Sequence, residues 1–377
     1  MNPPNCSPKL KVALLHDWLN GMRGGEKCLE ALCELFPQSS IFTLFYEKGK
    51  PSQAIARHPI VTSFLQKFPN IFRNYRTYLP FFPKAVESFD LRGYDWVIST
   101  SHCVAKGAVK EEGSLHVSYC FTPMRYAWGF FDEYFGDKSP FSQRMIQFFL
   151  KRLRRWDLKT SNRVDHFVAI SQHIKNRIAE TYHRHADVIY PPVDTEFYTP
   201  NSQAQKEDFY LVVSALVPYK KIDLAVHAFN ESGKKLLVIG DGPNKQSLQK
   251  IAKTNIRFLG WQSDEALREN YRKAKALIFP GEEDFGIVPL EMQACGGCVI
   301  ALRKGGATET VVDGKTGLFF DEPTVESLNR TVEKFEQISL SAQHARENAL
   351  RVGRERFKKE ILAMIEKVAA AKGGCVA

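Results

Sequence analysis

Two carboxylates separated by a short apolar turn are the first candidates for chemistry in this sequence. Glu283 and Glu291 lie eight positions apart, directly after an apolar run at residues 276–280 that is typical of a buried strand. Pro289 suits a first helical turn, so we expect Glu291 near a helix N-terminus and the backbone N–H groups of residues 285–288 facing a ligand. Carboxylates accept hydrogen bonds from the hydroxyl groups of ribose and other sugars. A solvated acidic loop would give the same short pattern.

Gly-rich turns and a lysine pair favour a phosphorylated ligand over that solvated loop. Gly24 and Gly25 follow the first predicted strand and precede a helix, where glycine lets backbone N–H groups approach a phosphate. Lys220 and Lys221 follow a later strand and could neutralise a diphosphate, although a solvated helix start is the alternative. A further glycine pair stands at residues 305–306. Together these turns predict nucleotide binding.

The elements that must position these residues alternate between strand and helix. Continuous apolar runs are typical of parallel sheets that are covered on both faces, and they occur at residues 11–16, 95–100, 115–120, 165–171, 209–216, 235–243, 256–261, 276–280, 298–302 and 317–320. We therefore predict an α/β protein with two Rossmann-like domains. Ligands of such sheets bind at the carboxyl ends of the strands, so we expect the site in a cleft between the two domains.

The length of 377 residues fits this two-domain organisation. A polar stretch at residues 199–208 is typical of a linker. We predict an N-terminal domain at 1–200, a second domain at 201–345 and a helical tail at 346–377.

Charge and composition narrow the class of partner. The net charge of +10 favours an acidic partner such as nucleic acid, anionic lipid or a phosphorylated small molecule. No nucleic-acid-binding motif is visible, and no apolar run reaches the roughly 18–20 residues of a membrane-spanning helix. The N-terminus does not resemble a signal peptide, so we expect a cytoplasmic protein.

The eight cysteines are scattered through apolar stretches, which favours free thiols over disulfides. Cys295 and Cys298 form a single C-x-x-C. A redox or zinc role is the alternative there, but no second pair accompanies it, and Gly296-Gly297 suits the end of a helix.

The motifs together resemble family 4 of the retaining glycosyltransferases, which have the GT-B fold. Glu283 and Glu291 match the E-x7-E motif of that family, with flanking matches at residues 217–223, 240–243, 295–300 and 305–311. Residues 16–32, 99–107 and 122–128 resemble a bacterial subgroup that makes surface polysaccharides and includes many mannosyltransferases.

This resemblance implies that 1–200 is the acceptor-side domain, that 201–345 is the nucleotide-sugar-binding domain and that the tail at 346–377 packs back on the N-terminal domain. It also implies a role for each matched residue. Glu291 would bind the ribose of a sugar nucleotide, and Glu283 would hold a hydroxyl of the transferred sugar. Lys220 would bind the diphosphate and stabilise its departure without a metal or other cofactor. Backbone N–H groups would come from Phe285, Gly286 and Ile287, and Gly24 and Gly25 would face the diphosphate.

Two positions depart from the family pattern. Ala215 stands where many members have an Arg, five positions before the lysine, and Lys221 is a candidate to compensate. Phe121 stands where many members have a His before Thr-Pro. His102, near another strand end, is a further catalytic candidate, although a lone histidine is more often structural.

The first half also contains an amphipathic segment that could bind an acceptor carried by lipid. Its pattern is typical of an interfacial helix on anionic lipid, and a core face with a basic rim is the alternative. Residues 64–84 are similarly aromatic and basic. The apolar residues are Phe141, Met145, Phe148, Phe149, Leu153 and Trp156, and the basic ones are Arg144, Lys151, Arg152, Arg154 and Arg155.

The leading interpretation is transfer of a hexose, such as mannose from GDP-mannose, to a lipid-linked or growing saccharide with retained configuration. The predicted partners are therefore a nucleotide-sugar, a lipid-linked saccharide and an anionic membrane surface on the inner face, with no nucleic acid. The alternatives are a sugar-nucleotide epimerase, which needs a base, and a glycosidase, which would leave the Gly-rich turns unused. A non-catalytic sugar-nucleotide-binding protein would account for Ala215 and Phe121.

Overall fold

The structure is a computed structural model that describes residues 10–129, 131 and 139–371. Contacts divide the chain into two compact units. Unit 1 comprises the described residues up to Pro192 and from Phe357 onward, and unit 2 comprises Val193–Arg356. The units therefore divide at residues 192 and 356, whereas the sequence predicts boundaries at 200 and 345.

Unit 1 is built on a sheet of seven parallel strands. The strands are β1 (Val12–His16), β2 (Ser40–Thr43), β3 (Ile60–Thr62), β4 (Trp96–Ser101), β5 (Leu115–Cys120), β6 (His166–Ala169) and β7 (Ala186–Val188). They lie in the order β3-β2-β1-β4-β5-β6-β7. The four strands predicted at 11–16, 95–100, 115–120 and 165–171 are confirmed as β1, β4, β5 and β6.

The prediction missed β2 and β3, which extend the sheet beyond β1. β2 begins with Ser40 and ends with Thr43, and β3 is the edge strand and has no buried residue. Neither therefore gives the continuous apolar run of a strand that is covered on both faces. β2 pairs with β1, and β3 pairs with β2, so the signal lies in tertiary structure.

Unit 2 is built on six parallel strands in the order β10-β9-β8-β11-β12-β13. All six agree with predicted strands. Successive residues alternate between two core clusters, with Tyr210 and Val212 in one and Leu211 in the other. Coverage of both faces explains the continuous apolar runs. The strands are β8 (Tyr210–Val213), β9 (Leu236–Ile239), β10 (Ile256–Gly260), β11 (Ala276–Phe279), β12 (Cys298–Leu302) and β13 (Gly317–Phe320).

Helices connect these strands and form the C-terminal tail. Several begin at a Ser or Thr whose side chain accepts from the first turn, as Ser263 does from the N–H of Ala266 at 3.3 Å. The helices are α1 (Gly24–Leu35), α2 (Gln53–Ala56), α3 (Ile71–Asn74), α4 (Phe82–Glu87), α5 (Arg125–Trp128), α6 (Pro140–Ser161), α7 (Gln172–Tyr182), α8 (Ile222–Ser232), α9 (Lys245–Ile251), α10 (Asp264–Lys273), α11 (Ile287–Ala294), α12 (Ala307–Thr310), α13 (Val325–Glu336), α14 (Ala342–Leu350) and α15 (Arg354–Ala371).

The last helix, α15, packs within unit 1 from Phe357 onward. The ring of Phe357 lies 5.5 Å from that of Tyr119 on β5, and Lys358 forms a 2.7 Å ion pair with Glu34. No helix in the described ranges is both long enough and apolar enough to span a bilayer.

A buried ion pair anchors the long helix α6 to its neighbours. Lys106 Nζ lies 2.8 Å from Asp157 Oδ1, and both side chains are inaccessible to solvent. The other carboxylate oxygen accepts hydrogen bonds from Trp128 Nε1 at 2.6 Å and from the Tyr182 hydroxyl at 2.9 Å. These contacts offset the cost of burying the charges and tie α6 to α5 and α7.

Candidate functional site

The structure brings Lys220 and Glu283 into direct contact. Lys220 ends a short 3₁₀ helix, Pro218–Lys220, that follows β8, and Glu283 lies in the loop that follows β11. Since β8 and β11 are neighbouring parallel strands, both residues lie at the same carboxyl edge of the sheet. The Lys220 ammonium forms an ion pair with the Glu283 carboxylate, and both side chains are largely buried.

Gly281 permits this close approach and was not predicted. A Cβ at position 281 would lie 2.7 Å from the carbonyl oxygen of Lys220 and 2.9 Å from its Cα. Such distances are shorter than real contacts, so a side chain here would push the two loops apart. The only signal in the sequence is a glycine placed directly between the strand end and the acidic loop.

The loop after β12 holds the backbone of Glu283 in place. The carbonyl oxygen of Glu283 accepts a hydrogen bond from Gly306 N at 2.7 Å, and Glu283 forms an isolated parallel bridge with Gly305. The loops after β8, β11 and β12 therefore meet at Glu283.

Glu291 lies near the start of α11, as expected. It is the fifth residue of the helix, because Gly286 is the N-cap and Pro289 is the third helical residue. The side chain is only 6% exposed. The Tyr271 hydroxyl donates a 3.0 Å hydrogen bond to Glu291 Oε2.

Tyr271 is therefore a second residue that the prediction missed. Burial, followed by the Glu291 charge, raises the pKa of the Tyr271 hydroxyl well above its ordinary value. The hydroxyl thus stays protonated and remains a donor that orients the Glu291 carboxylate. Nothing in the sequence links these residues, which lie twenty positions apart.

The turn between the two carboxylates presents backbone donors. Gly286 adopts a φ of 96°, in the left-handed region, and begins α11. In the described part of the chain, no residue accepts a hydrogen bond from the N–H groups of Gly286 or Ile287. Phe285 buries its ring, and its backbone lies against Gly306. These N–H groups are free to bind a ligand at a helix N-terminus.

Lys221 is separated from the Lys220–Glu283 pair. It adopts a left-handed φ of 52°, precedes α8 and is exposed. Among the described residues none forms an ion pair with it. Ala215 is also exposed. The predicted donor-binding role of Lys221 stays a prediction.

In unit 1, Gly24 and Gly25 form the first two residues of α1. Arg23 N donates a 3.0 Å hydrogen bond to Glu26 Oε2, which uses one donor of this helix start. A Cβ on Gly25 would lie 3.4 Å from the Phe121 ring. The glycine pair therefore neighbours the position where the family pattern has a histidine.

His102 lies in the same region and contacts Asp17, which the prediction also missed. His102 Nδ1 lies 3.0 Å from Asp17 Oδ2. The Asp17 carboxylate accepts four backbone hydrogen bonds of 2.7–2.9 Å from residues 102–105. Burial alone would raise the pKa of Asp17, but the charge of a protonated His102 and its hydrogen bonds lower that pKa to about 2. The sequence signal was an acid directly after the first predicted strand.

The C-x-x-C cysteines show no sign of redox chemistry. Cys295 and Cys298 are buried free thiols just after the end of α11. Burial raises the pKa of the Cys295 thiol to about 12 and also raises that of Cys298, which disfavours the reactive thiolate. In the described ranges, no group of three or more metal-ligating side chains gathers. That the site needs no metal or cofactor stays a prediction.

The amphipathic helix α6 divides the predicted apolar face into two parts. Leu153 is buried, and Phe149 and Trp156 pack partly buried against the unit 1 core. The other three residues are exposed: Phe141 by 76%, Met145 by 56% and Phe148 by 61%. The single predicted face is therefore both a core face and an exposed apolar stripe.

Two family models match the chain and together cover most of it. The model described as "Glycosyl transferases group 1" matches residues 194–352, and "Glycosyltransferase Family 4" matches residues 22–197. The chain belongs to glycosyltransferase family 4. Both carboxylates, Lys220 and the loops around them lie within the first match, and Gly24, Gly25 and His102 within the second.

Relatives of this glycosyltransferase share about a third of the aligned residues. One is an uncharacterized glycosyltransferase of Methanocaldococcus jannaschii, 32% identical over 173 residues, which cover 45% of this chain and 48% of the relative. Another, from Mycolicibacterium smegmatis, is named GDP-mannose-dependent alpha-(1-6)-phosphatidylinositol monomannoside mannosyltransferase. It is 29% identical over 204 residues, which cover 46% of this chain and 53% of the relative. The matches thus span about half the length of these relatives.

Solved structures resemble the glycosyltransferase along nearly its whole length. Sucrose-phosphate synthase from Thermosynechococcus elongatus has a TM-score of 0.72 at 16% identity, covering 96% of this chain and 100% of that one. HepE of Anabaena, in complex with UDP, has a TM-score of 0.67 at 15% identity, covering 95% and 100%. At these identities the likeness establishes the fold, which is the predicted α/β GT-B fold.

Proposed function

We propose that this glycosyltransferase moves a hexose from a nucleotide-sugar donor to a lipid-linked or growing saccharide in surface polysaccharide synthesis. The observation that carries the proposal is the Lys220–Glu283 pair beside the free backbone N–H groups of Gly286 and Ile287. We propose that transfer retains the anomeric configuration and needs no metal, as the resemblance to the family implies.

In this proposal Lys220 binds the diphosphate of the donor, and Glu283 binds its sugar. An ammonium group has three N–H donors, so Lys220 can stay bonded to Glu283 while it binds a phosphate oxygen. As the bond from sugar C1 to the phosphate oxygen breaks, negative charge grows on the diphosphate, and the nearby ammonium stabilises that charge. Glu283 accepts a hydrogen bond from a sugar hydroxyl, and the N–H groups of Gly286 and Ile287 bind further donor oxygens.

Glu291 binds the ribose in this scheme. Its carboxylate is held by Tyr271 at 3.0 Å, so one oxygen is fixed and the group is already oriented before the donor arrives. A carboxylate can accept from both vicinal ribose hydroxyls. Preorganisation of this kind lowers the entropic cost of binding.

We propose GDP-mannose as the donor. The Mycolicibacterium smegmatis relative is named for GDP-mannose, whereas the Anabaena structure contains UDP. The experiment is therefore a panel of GDP- and UDP-sugars, each incubated with the protein with and without a bacterial membrane lipid extract. Release of nucleoside diphosphate and labelling of the lipid fraction are measured.

Each outcome of the panel is informative. Release of GDP from GDP-mannose that requires the extract supports the proposal. Release from UDP-sugars alone contradicts the choice of donor. Conversion of the sugar nucleotide without any acceptor would indicate an epimerase. Tight donor binding without turnover on any acceptor would indicate a non-catalytic binding protein.

The exposed stripe of α6 is the proposed contact with an anionic membrane surface. Phe141, Met145 and Phe148 are spaced by four and three residues, which places them on one face of the helix. Exposed basic residues continue along the helix at Lys151, Arg152, Arg155 and Lys159, and Arg144 lies among the apolar ones. The apolar end would insert at the interface, and the basic end would bind anionic headgroups.

Vesicle flotation tests this contact. We expect the protein to float with vesicles rich in anionic lipid and not with neutral vesicles, because each basic residue near the surface contributes about 1 kcal/mol. The triple variant Phe141→Ser, Met145→Ser, Phe148→Ser should lose most of this binding. A matched control replaces three exposed apolar residues elsewhere, namely Ile251, Ile338 and Leu362. Equal flotation of both triple variants, or no flotation of the wild type, contradicts the proposal.

A further inference from the structure

We infer that Asp17 fixes His102 so that His102 Nε2 accepts a hydrogen bond from a sugar hydroxyl. His102 is thus the residue that binds substrate, and Asp17 is a positioning residue that acts through it. This inference rests on the proposed function, since it assigns a sugar-binding group to unit 1 for the same reaction.

The contacts of Asp17 determine which nitrogen of His102 is available. The carboxylate is fully buried, accepts four backbone N–H groups and has a pKa of about 2, so it is ionised at any working pH. An ionised carboxylate can only accept, so His102 must carry its proton on Nδ1, which lies 3.0 Å away. In the neutral imidazole, Nε2 is then left with a lone pair and no proton.

The free nitrogen is on the accessible side of the ring. The His102 side chain is 33% exposed, whereas the Asp17 side chain is completely buried. His102 Nε2 is not among the buried side-chain atoms without a partner in the described residues. None of the described residues is a hydrogen-bond partner of Nε2. The indole of Trp18 packs edge-on at 4.5 Å and restricts rotation of the imidazole.

The position in the sheet is one where ligands bind. Asp17, His102 and Phe121 directly follow β1, β4 and β5, three adjacent parallel strands whose carboxyl ends form one edge. The ring of Phe121 lies 6.3 Å from that of His102 and cannot accept a hydrogen bond. His102 therefore supplies this edge with the imidazole that Phe121 lacks.

Two variants of His102 separate substrate binding from support of the loop. Asn places an amide near the position of Nδ1, so His102→Asn keeps a donor for Asp17 but loses Nε2. Gln places its amide near the position of Nε2, so His102→Gln keeps an acceptor there but loses the contact with Asp17. Variants of Asp17 itself are less informative, because four backbone hydrogen bonds depend on that carboxylate.

We expect His102→Asn to lower kcat/KM by roughly tenfold or more, as loss of a substrate hydrogen bond does, and His102→Gln to retain more activity than His102→Asn. If the variant binds the donor more weakly, the hydroxyl that His102 binds is on the transferred sugar. If the KM for the acceptor rises instead, that hydroxyl is on the acceptor. If His102→Asn retains wild-type kinetics while His102→Gln loses activity, the role is structural and the inference is wrong.

A spectroscopic measurement tests the tautomer without any need for turnover. The ¹⁵N NMR spectrum of the wild type, at a pH where His102 is neutral, should show a protonated Nδ1 and an unprotonated Nε2. A proton on Nε2 overturns the inference whether or not the protein transfers sugar. If the expected tautomer is present but the wild type transfers no sugar, the proposed function is refuted. The assignment of a sugar hydroxyl as the ligand of His102 is then refuted with it.

Discussion

At the scale of single residues, the spacing of the two carboxylates was informative because both belong to one continuous loop and helix. Lys220 was predicted from its place after a strand, and the structure pairs it with Glu283. The partners that orient these groups could not be predicted in the same way. Tyr271 meets Glu291, and Asp17 meets His102, through tertiary contacts that leave no periodic signal in the sequence.

The hydrogen bond from Tyr271 to Glu291 gives a prediction at this scale. Tyr271→Phe removes the donor and leaves the ring in place, so the Glu291 carboxylate loses a fixed orientation in a buried site. Hydrogen bonds to charged groups contribute about 1.5–3 kcal/mol, and we expect donor affinity to fall by roughly tenfold or more. Isothermal titration with the nucleotide-sugar measures this change.

A second Tyr–Glu hydrogen bond in unit 2 provides the matched control. The Tyr210 hydroxyl donates to Glu336 Oε1 at 2.9 Å, at a site unconnected to the proposed donor loops. Tyr210→Phe should leave donor affinity unchanged. Equal affinities for the two variants would show that Tyr271 does not orient the ribose-binding group.

At the scale of elements, the strands with continuous apolar runs were predicted well, and β2 and β3 were missed. The six strands of unit 2 are buried on both faces and give apolar runs that a sequence shows directly. β2 begins with Ser and ends with Thr, and β3 has no buried residue, so neither gives such a signal. Pro289 was expected in the first turn of a helix and is the third residue of α11, so Glu291 lies near the helix start as predicted.

The contact between the loops after β8 and β11 gives a prediction at this scale. Gly281→Ala places a methyl group within 3 Å of the Lys220 backbone, so the loops must separate. Overpacking of this kind costs about 1–3 kcal/mol. We expect a melting temperature lower by several degrees and weaker donor binding, measured by thermal denaturation and titration.

Gly129→Ala is the control for this substitution. An added Cβ at position 129 would meet no atom within 4 Å, and its φ of 177° suits any residue. Its stability should stay within about 0.5 kcal/mol of the wild type, as is usual for surface changes. Wild-type melting and donor affinity in Gly281→Ala would refute the role of the glycine in bringing the two loops together.

At the scale of the whole molecule, the sequence predicted two parallel-sheet units because the alternation of strand and helix restarts after a polar stretch. The division falls at Pro192, just after a proline pair, and not within the polar stretch at 199–208. Contacts across residues 193–200 attach this segment to unit 2, as Arg346 does through its 2.8 Å hydrogen bond to the Thr195 carbonyl. A polar composition alone could not reveal that attachment.

The exposure of the apolar residues of α6 also depends on the packing of the whole molecule. The sequence allowed a core face or a membrane face, and the structure shows that the same helix has a buried face and an exposed apolar stripe. Amphipathic periodicity could not separate the buried face from the exposed stripe, since Phe148 and Phe149 are equally apolar. Only packing decides which of the two is exposed.

The most direct test of the central claim is the rate of sugar transfer by Lys220→Met beside a matched lysine variant. Lys234 forms a 2.6 Å ion pair with Glu336 in the same unit, as Lys220 does with Glu283, but lies outside the proposed site. Loss of a group that stabilises charge in the transition state typically costs about 10²–10³ in kcat. We predict that loss for Lys220→Met and wild-type kcat for Lys234→Met, with both proteins folded. Wild-type kcat in Lys220→Met, or an equal loss in both variants, would contradict the account.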